Sequence, residues 1–103
     1  MYCFIETRLF SRIVGDYLSE TEYAKVQAAL IANPWLGDIV PGSGGVRKMR
    51  WPGSGRGKRG GVRLIYFVRM QEGQIWMLTI YAKNEEQTIP AHLLRKIREE
   101  IDA

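Results

Sequence analysis

The sequence predicts an α+β fold, with helices towards both ends of the chain and strands between them. Two patterns carry this prediction. Apolar side chains recur at helical spacing in residues 7–33 and again in residues 90–101, whereas residues 46–83 show the alternation and short apolar runs of strands. We expect a small twisted, mainly antiparallel sheet of about four strands. An N-terminal helical hairpin should lie on one face, and a C-terminal helix should complete the order β-α-α-β-β-β-α.

The N-terminal part should form one strand and two helices. Residues 3–6 read as a strand, and Thr7 can cap a helix after it. Ser19 and Glu22 have the spacing of a capping box, which predicts a second helix that runs to about Asn33, where Pro34 stops it. Apolar stripes mark the buried faces of the two helices: Phe10, Ile13, Val14 and Tyr17 in the first, and Tyr23, Val26 and Leu30 in the second.

Three further strands and a helix should follow. Residues 46–51 alternate, with Met49 and Trp51 on one face and Lys48 and Arg50 on the other, which we expect to be left for a ligand. Residues 61–70 and 74–83 are the next strands, joined by a tight turn, and the second of them is apolar on both faces and therefore central. Pro90 stands near the start of the last helix, whose inner face carries Leu94, Ile97 and Ile101.

Length and composition narrow the class of protein. A chain of 103 residues with 46% hydrophobic and 25% charged residues predicts a single soluble domain, 1–103. No apolar run is long enough to span a membrane and no signal sequence is visible, so we expect a cytoplasmic protein. Because Cys3 is the one cysteine and His92 the one histidine, an intramolecular disulfide is excluded, and we expect no metal and no cofactor.

The positive charge is concentrated in the middle of the sequence. No acidic residue lies between Asp38 and Glu72, whereas the rest of the chain holds all eleven acids and seven cations. The acid-free stretch contains eight of the fifteen cations: Arg47, Lys48, Arg50, Arg56, Lys58, Arg59, Arg63 and Arg69. Such a segment favours a polyanion, and nucleic acid in particular, although a merely solvated basic loop is the alternative.

The glycine-rich loop at residues 52–60 is not a nucleotide-binding motif. Residues 55–60 match G-x-G-x-x-G as letters, but the dinucleotide motif must open a helix, and here a strand follows. A phosphate-binding loop also fails, because Pro52 and Arg59 stand where a glycine and a hydroxyl are required. We predict instead a flexible loop that brings cations and bare amides to a phosphodiester.

Three blocks of sequence resemble the HigB-like branch of the RelE toxin superfamily, and the resemblance covers nearly the whole chain. They are GGVRKMRW at 44–51, GRGKRGGVRLIY at 55–66 and LTIYAKN at 78–84. The resemblance implies a RelE-like domain and the toxin of a type II toxin–antitoxin system, a ribosome-dependent endoribonuclease (an mRNA interferase) that cleaves mRNA in the A site. It also implies the partners: the ribosome, mRNA, and a cognate antitoxin of the helix-turn-helix, HigA-like kind, through which promoter DNA is bound indirectly.

The resemblance also implies the site. The family's catalytic cations match Lys48, Arg50, Lys58, Arg63 and Lys83. The predicted RNA-binding residues are Arg47, Trp51, Arg56, Arg59, Tyr66, Tyr81 and Asn84. The sequence departs from the family twice: Asn84 stands where many relatives have arginine, and residues 89–91 lack the tyrosine that some relatives place near the last helix. Tyr66 and Tyr81 are its candidate replacements, although both residues, like Trp51, could equally be core packing.

The chemistry expected of these residues is metal-independent attack of a ribose 2′-hydroxyl on its own phosphate. Arg50 and Arg63 would hold the phosphate, Lys48 or Lys58 would transfer a proton, and Lys83 would flank the phosphate. Clustered cations should lower the pKa of a neighbouring lysine or tyrosine, whereas His92 reads as a surface residue. Two other functions stay open: a non-enzymatic, ParE-like inhibitor of a protein such as DNA gyrase, and a simple RNA-binding module.

Overall fold

The computed structural model describes residues 1–52, 61–85 and 89–101. Within these residues, five strands form one sheet with the spatial order β1-β5-β4-β3-β2. The strands are β1 (Cys3–Glu6), β2 (Asp38–Ile39), β3 (Arg47–Trp51), β4 (Val62–Arg69) and β5 (Gln74–Ala82). The helices are α1 (Arg8–Ile13), α2 (Glu20–Ala32) and α3 (Ala91–Ile101). Only the pairing of β1 with β5 is parallel among these strands, so the predicted mainly antiparallel α+β architecture is confirmed.

Side-chain caps begin both N-terminal helices, as the sequence predicts. The Thr7 hydroxyl accepts a hydrogen bond from the Phe10 N–H, and the capping box of Ser19 and Glu22 is complete in both directions. Phe10, Val26 and Leu30 are fully buried and pack against one face of the sheet. The first helix is shorter than its apolar stripe, because the chain tightens into a 3-10 turn at Val14–Asp16.

The opposite face of the sheet is partly covered by α3, which the sequence analysis did not place. Leu94, fully buried, packs there with Val46, Ile65, Phe67 and Leu78, and Ile97 and Ile101 extend the same contact. The expectation that this whole face is left for a ligand is therefore wrong, because the apolar stripe of α3 needs an apolar partner. What remains uncovered is the region around Lys48 and Arg50.

Two local irregularities shape the sheet. The short strand β2 lies within the segment expected to be a plain connection, and it pairs Asp38 with Lys48 and Ile39 with Arg47. Between Ile65 and Tyr66 the register with β5 shifts by one residue, so that Leu78 has no partner in the β4 ladder. None of the helices in the described ranges is long and apolar enough to cross a membrane.

Candidate functional site

Two successive rows of side chains cross the α3 face of the sheet. The strand pairing aligns Asp38, Lys48, Ile65 and Thr79 in one row, and Arg50, Arg63 and Tyr81 in the next. Side chains opposite one another on neighbouring strands have Cβ atoms about 4.5–5.5 Å apart, and diagonal neighbours are about 7–8 Å apart. The sheet therefore brings Lys48, Arg50 and Arg63 together, three cations that the sequence analysis assigned to catalysis.

Arg50 and Arg63 lie directly opposite one another on β3 and β4. Like charges in this position destabilise a sheet. The two side chains differ in exposure: Arg50 is exposed, whereas Arg63 is only 9% exposed and donates a long hydrogen bond of 3.4 Å to the Val62 carbonyl. A buried guanidinium beside an exposed one forms a fork of donors that suits an anion with several oxygens, such as a phosphate.

A cavity of about 500 Å³ opens at this point of the sheet. It lies beside Asp38, the first residue of β2, at the part of β3 with which β2 does not pair. Its walls include Lys48, Arg50 and Arg63. Asp38 supplies a carboxylate to the same wall, from the same row as Lys48. One concave site thus contains two guanidiniums, an ammonium and a carboxylate, which are the groups needed to bind a phosphodiester and to move protons around it.

A second cavity, of about 270 Å³, joins the other side of Lys48. It is lined mainly by apolar side chains, among them Ile65, Ile89 and Leu94, and Tyr81 also contributes to its wall. Pro90 and Ala91, at the start of α3, close it. The N-terminal, positive end of the α3 dipole therefore lies on the same cavity wall as Lys48 and adds to the positive potential there.

Tyr81 is the uncharged member of the Arg50–Arg63 row, and its surroundings shift the pKa of its phenol. Burial raises the pKa of the Tyr81 phenol above its ordinary value, and the neighbouring Arg63 charge lowers it by a smaller amount. The expectation that clustered cations lower the pKa of a tyrosine here is therefore wrong in its net direction, because desolvation outweighs the nearby charge. Near neutral pH, Tyr81 is a hydrogen-bond donor and not a base.

Lys83 and Asn84 follow β5 in an exposed turn at the Arg63 end of the strand. The Lys83 N–H donates to the Gly61 carbonyl at 3.1 Å, which ties the turn to the start of β4. The Glu85 carboxylate accepts hydrogen bonds from the Ala82 N–H and the Tyr17 hydroxyl, both at 2.7 Å, and these bonds hold the pKa of Glu85 below its usual range. The turn that carries Lys83 is thus fixed to the helical hairpin.

Three predicted RNA-binding residues lie on the hairpin side of the sheet or point towards it. Tyr66 is fully buried: its hydroxyl donates to the Pro34 carbonyl at 2.9 Å and accepts from the Gly37 N–H at 2.8 Å. It cannot stack on a base, so that prediction is wrong for Tyr66. Trp51 is half-buried against the hairpin-side core, and its remaining surface contributes to the larger cavity.

Arg47 is the third of these residues, and its contacts are structural. Its guanidinium donates to the Gly37 carbonyl at 2.7 Å and to the Trp35 carbonyl at 3.2 Å, and it lies over the Trp35 ring. These contacts give Arg47 a role in holding the chain before β2, which the prediction of a direct RNA contact did not include. Sequence alone does not show this, because the partners of Arg47 are backbone carbonyls.

Some of the predicted site lies outside the described residues. Arg56, Lys58 and Arg59 belong to residues 53–60, for which the structure gives no description, and their roles stay predictions. His92 is exposed on the first turn of α3.

Two features of the site are not apparent from the sequence. In the sequence Asp38 only marks the boundary of the acid-free stretch, and its alignment with Lys48 depends on the pairing of β2 with β3. Trp35 and Leu36 belong to a segment that the sequence predicts to be a connection, yet both are exposed, and Leu36 lines the cavity. A tryptophan and a leucine in a short polar connection were the available signal.

Comparison with known proteins agrees with this architecture. No family model matches the chain. Among solved structures, a double arginine-to-alanine mutant of the E. coli toxin RelE in the free state has a TM-score of 0.57, with 94% of this chain and 96% of that chain covered, at 13% sequence identity. The chain has a RelE-like fold. At this identity the RelE comparison concerns the fold, and the chemistry has to be argued from the side chains of this chain.

Proposed function

We propose that this chain is the toxin of a type II toxin–antitoxin system, of the HigB-like branch of the RelE superfamily, and that it cleaves mRNA on the ribosome. The observation that carries the proposal is a group of three cations on one face of a RelE-like sheet: Lys48, Arg50 and Arg63 share a cavity of about 500 Å³. The proposed partners are the ribosome, mRNA and a HigA-like antitoxin, which would bind promoter DNA for the complex.

In the proposed reaction, the ribose 2′-oxygen attacks the adjacent phosphorus. The O2′–P bond forms and the P–O5′ bond breaks, which leaves a 2′,3′-cyclic phosphate and a 5′-hydroxyl. Negative charge builds up on the phosphate oxygens in the transition state. The opposed guanidiniums of Arg50 and Arg63 suit this charge, because both are fixed on neighbouring strands before the substrate arrives.

The two proton transfers need an acceptor and a donor. The Asp38 carboxylate is the acceptor that we assign to the 2′-hydroxyl proton, since it belongs to the cavity wall and to the same row as Lys48. The Lys48 ammonium is the donor to the leaving 5′-oxygen. Tyr81, which burial keeps protonated, donates a hydrogen bond beside Arg63, and Lys83 flanks the substrate backbone. Lys58 remains the predicted alternative to Lys48 as the proton-transfer group.

The proposal is tested by inducing the chain in bacterial cells and mapping mRNA 5′ ends. The wild type should arrest growth and produce new 5′ ends in register with codons. Arg63→Ala should lose both effects, and Arg50→Gln, at an exposed position, guards against an effect of misfolding at the buried Arg63. Arg8→Gln, which removes an exposed cation from α1, is the matched control and should behave as wild type.

Other outcomes would point to the other functions. Growth arrest with intact mRNA and broken DNA would favour a ParE-like inhibitor of gyrase and overturn the nuclease. RNA binding with unchanged mRNA ends would favour a simple RNA-binding module. Full arrest with unaltered cleavage in both Arg63→Ala and Arg50→Gln would remove the assigned site.

A further inference from the structure

The chain between α2 and β2 is held unusually firmly for a connection of five residues, 33–37. The buried Tyr66 hydroxyl bonds both the Pro34 carbonyl and the Gly37 N–H. Arg47 bonds two carbonyls of the same segment, and the Asn33 side chain accepts from the Trp35 N–H at 3.1 Å. A segment whose backbone groups are satisfied by fixed partners keeps one conformation.

Gly37 shows how closely this segment packs against the sheet. A Cβ atom at this position would lie 2.9 Å from the Lys48 carbonyl oxygen and 2.9 Å from the Tyr66 ring. Any other residue would therefore push the segment away from β3. The connection is a rigid part of the site wall, because its position is set by close backbone contact with the strand that carries Lys48.

This rigid segment presents two large apolar side chains to solvent. Trp35 and Leu36 are each 47% exposed. The residues on either side, Pro34 and Gly37, are buried, so the segment is in close contact with the sheet. Trp35 and Leu36 are exposed even though their neighbours pack against the protein. Exposed apolar side chains on a fixed backbone are typical of binding sites, because little conformational entropy is lost when a ligand binds to them.

The surroundings of Trp35 indicate the chemistry of the ligand. The Arg47 guanidinium lies over the Trp35 ring, with its Cζ 5.0 Å from the ring centroid, and fixes the ring orientation by a cation–π contact. Leu36, the next residue, lines the cavity that contains Arg50 and Arg63. Trp35 is therefore one residue away from the wall of the cationic cavity. Proteins hold single-stranded nucleic acid by stacking bases on aromatic rings while nearby cations meet the phosphates.

We propose that Trp35 stacks on a nucleobase of the RNA strand whose phosphate lies between Arg50 and Arg63. The inference rests on the proposed function and adds to it a binding site for one base. Arg47 and Tyr66 act through Trp35, as positioning residues, and touch no substrate themselves. A protein partner would be the other use of an exposed Trp35–Leu36 pair, but the cationic cavity that Leu36 lines favours RNA over an apolar protein surface.

The test measures RNA binding apart from cleavage. The purified full-length chain is titrated into a fluorescein-labelled single-stranded RNA nonamer whose riboses carry 2′-methoxy groups, so that the 2′-oxygen cannot attack. Fluorescence anisotropy in 50 mM salt gives Kd. Trp35→Ala should weaken binding about 5- to 150-fold, which corresponds to the stacking of one base on an aromatic ring. Trp35→Phe, which keeps a stacking surface, should stay within about threefold of wild type.

A matched control and a second probe separate stacking from general apolar loss. Ile31→Ala removes a side chain that is about as exposed, on α2, and should leave Kd unchanged. Replacing one nucleotide at a time by an abasic unit should reveal one position that weakens binding to the wild type. At that position the abasic RNA and the intact RNA should bind Trp35→Ala equally, because the two changes remove the same contact.

The outcomes distinguish this inference from the proposed function. Unchanged RNA affinity in Trp35→Ala, while the wild type cleaves mRNA and Arg63→Ala does not, overturns the stacking site and leaves the nuclease standing. A Trp35→Ala defect confined to binding of a protein partner also overturns it. Weakened RNA binding in Trp35→Ala without mRNA cleavage by the wild type would support the stacking site and sink the nuclease.

Discussion

Arg50 and Arg63 face each other across two central strands, an arrangement that costs stability. Proteins retain such unfavourable pairs where a bound anion compensates them. Under the proposed function, each of the two arginines has a role that its location in a sheet does not explain. The same holds for Asp38, a carboxylate in the wall of a cavity whose other charges are positive.

Arg50→Gln should separate activity from stability. We expect mRNA cleavage on ribosomes to fall about 10²- to 10³-fold, since one donor to the transition state is lost. The free energy of unfolding in urea should stay the same or rise by about 0.2–1 kcal/mol, because the like-charge pair is removed. A variant that loses stability together with activity would show that Arg50 is a structural residue.

Asp38→Asn distinguishes a proton acceptor from a bystander. If Asp38 accepts the 2′-hydroxyl proton, cleavage should fall about 10²- to 10⁴-fold in a single-turnover assay on programmed ribosomes. RNA affinity should hold or improve, because a negative charge leaves an anion-binding cavity. Faster cleavage in Asp38→Asn would mean that the carboxylate only repels the substrate.

Among the elements, those with a strong local signal were predicted well and those without one were not. The capping box at Ser19 and the alternation around Met49 have local causes, and both were found as predicted. The docking face of α3 was not predicted, because its apolar stripe does not say which side of the sheet it meets. Strand β2 has two residues, both exposed, and is too short for an alternation in the sequence to predict it.

The candidate site shows the same division. The alternation in β3 was enough to place Lys48 and Arg50 on one face, and pairing with β4 adds Arg63. Tyr66 could not be assigned, since β4 is buried on both faces and its sequence does not alternate. Arg47 and Trp35 could not be paired either, because their contact depends on the path of an irregular segment.

The turn after β5 depends on a bond between two elements, from the Tyr17 hydroxyl to the Glu85 carboxylate. Burial first, and then the Glu85 hydrogen bond and charge, raise the pKa of Tyr17 to about 12. The unfolded chain, with an ordinary tyrosine pKa near 10, loses this proton first as the pH rises. The stabilising effect of the Tyr17 hydroxyl is therefore fully present below about pH 10 and disappears as the pH passes through the folded value.

Tyr17→Phe tests this link. At pH 7 the variant should be less stable than wild type by about 0.5–1.5 kcal/mol in urea unfolding, the worth of one hydrogen bond. The difference between the two proteins should shrink between pH 10 and 12, because the wild type loses its advantage there. Tyr2→Phe, which removes a hydroxyl that donates to the Met70 sulfur, is the control for the loss of a tyrosine hydroxyl elsewhere in the chain. A constant difference up to pH 12 would contradict the assignment.

For the molecule as a whole, the distribution of charge governs how it meets its substrate. The acid-free stretch 39–71 supplies β3 and β4, and three of its cations, Lys48, Arg50 and Arg63, share one cavity and concentrate positive charge there. A one-sided field of this kind orients an approaching polyanion.

RNA binding by the wild type should therefore depend steeply on salt. With about five phosphate contacts, affinity for the methoxy-substituted nonamer should fall about a hundredfold between 50 and 200 mM salt. Trp35→Ala should show the same slope at lower affinity, because stacking releases no counterions. A flat salt response would show that the positive region is not a nucleic-acid surface.

The parallel pairing of the first strand with the last joins Cys3–Glu6 to a partner some seventy residues later in the chain. An emerging polypeptide cannot complete its sheet until β5 has left the ribosomal exit tunnel, by which time most of the protein has been made. If the chain does attack translating ribosomes, this late closure delays its own activity until it is nearly finished. The ribosome that synthesises it is then protected from it for almost the whole of that synthesis.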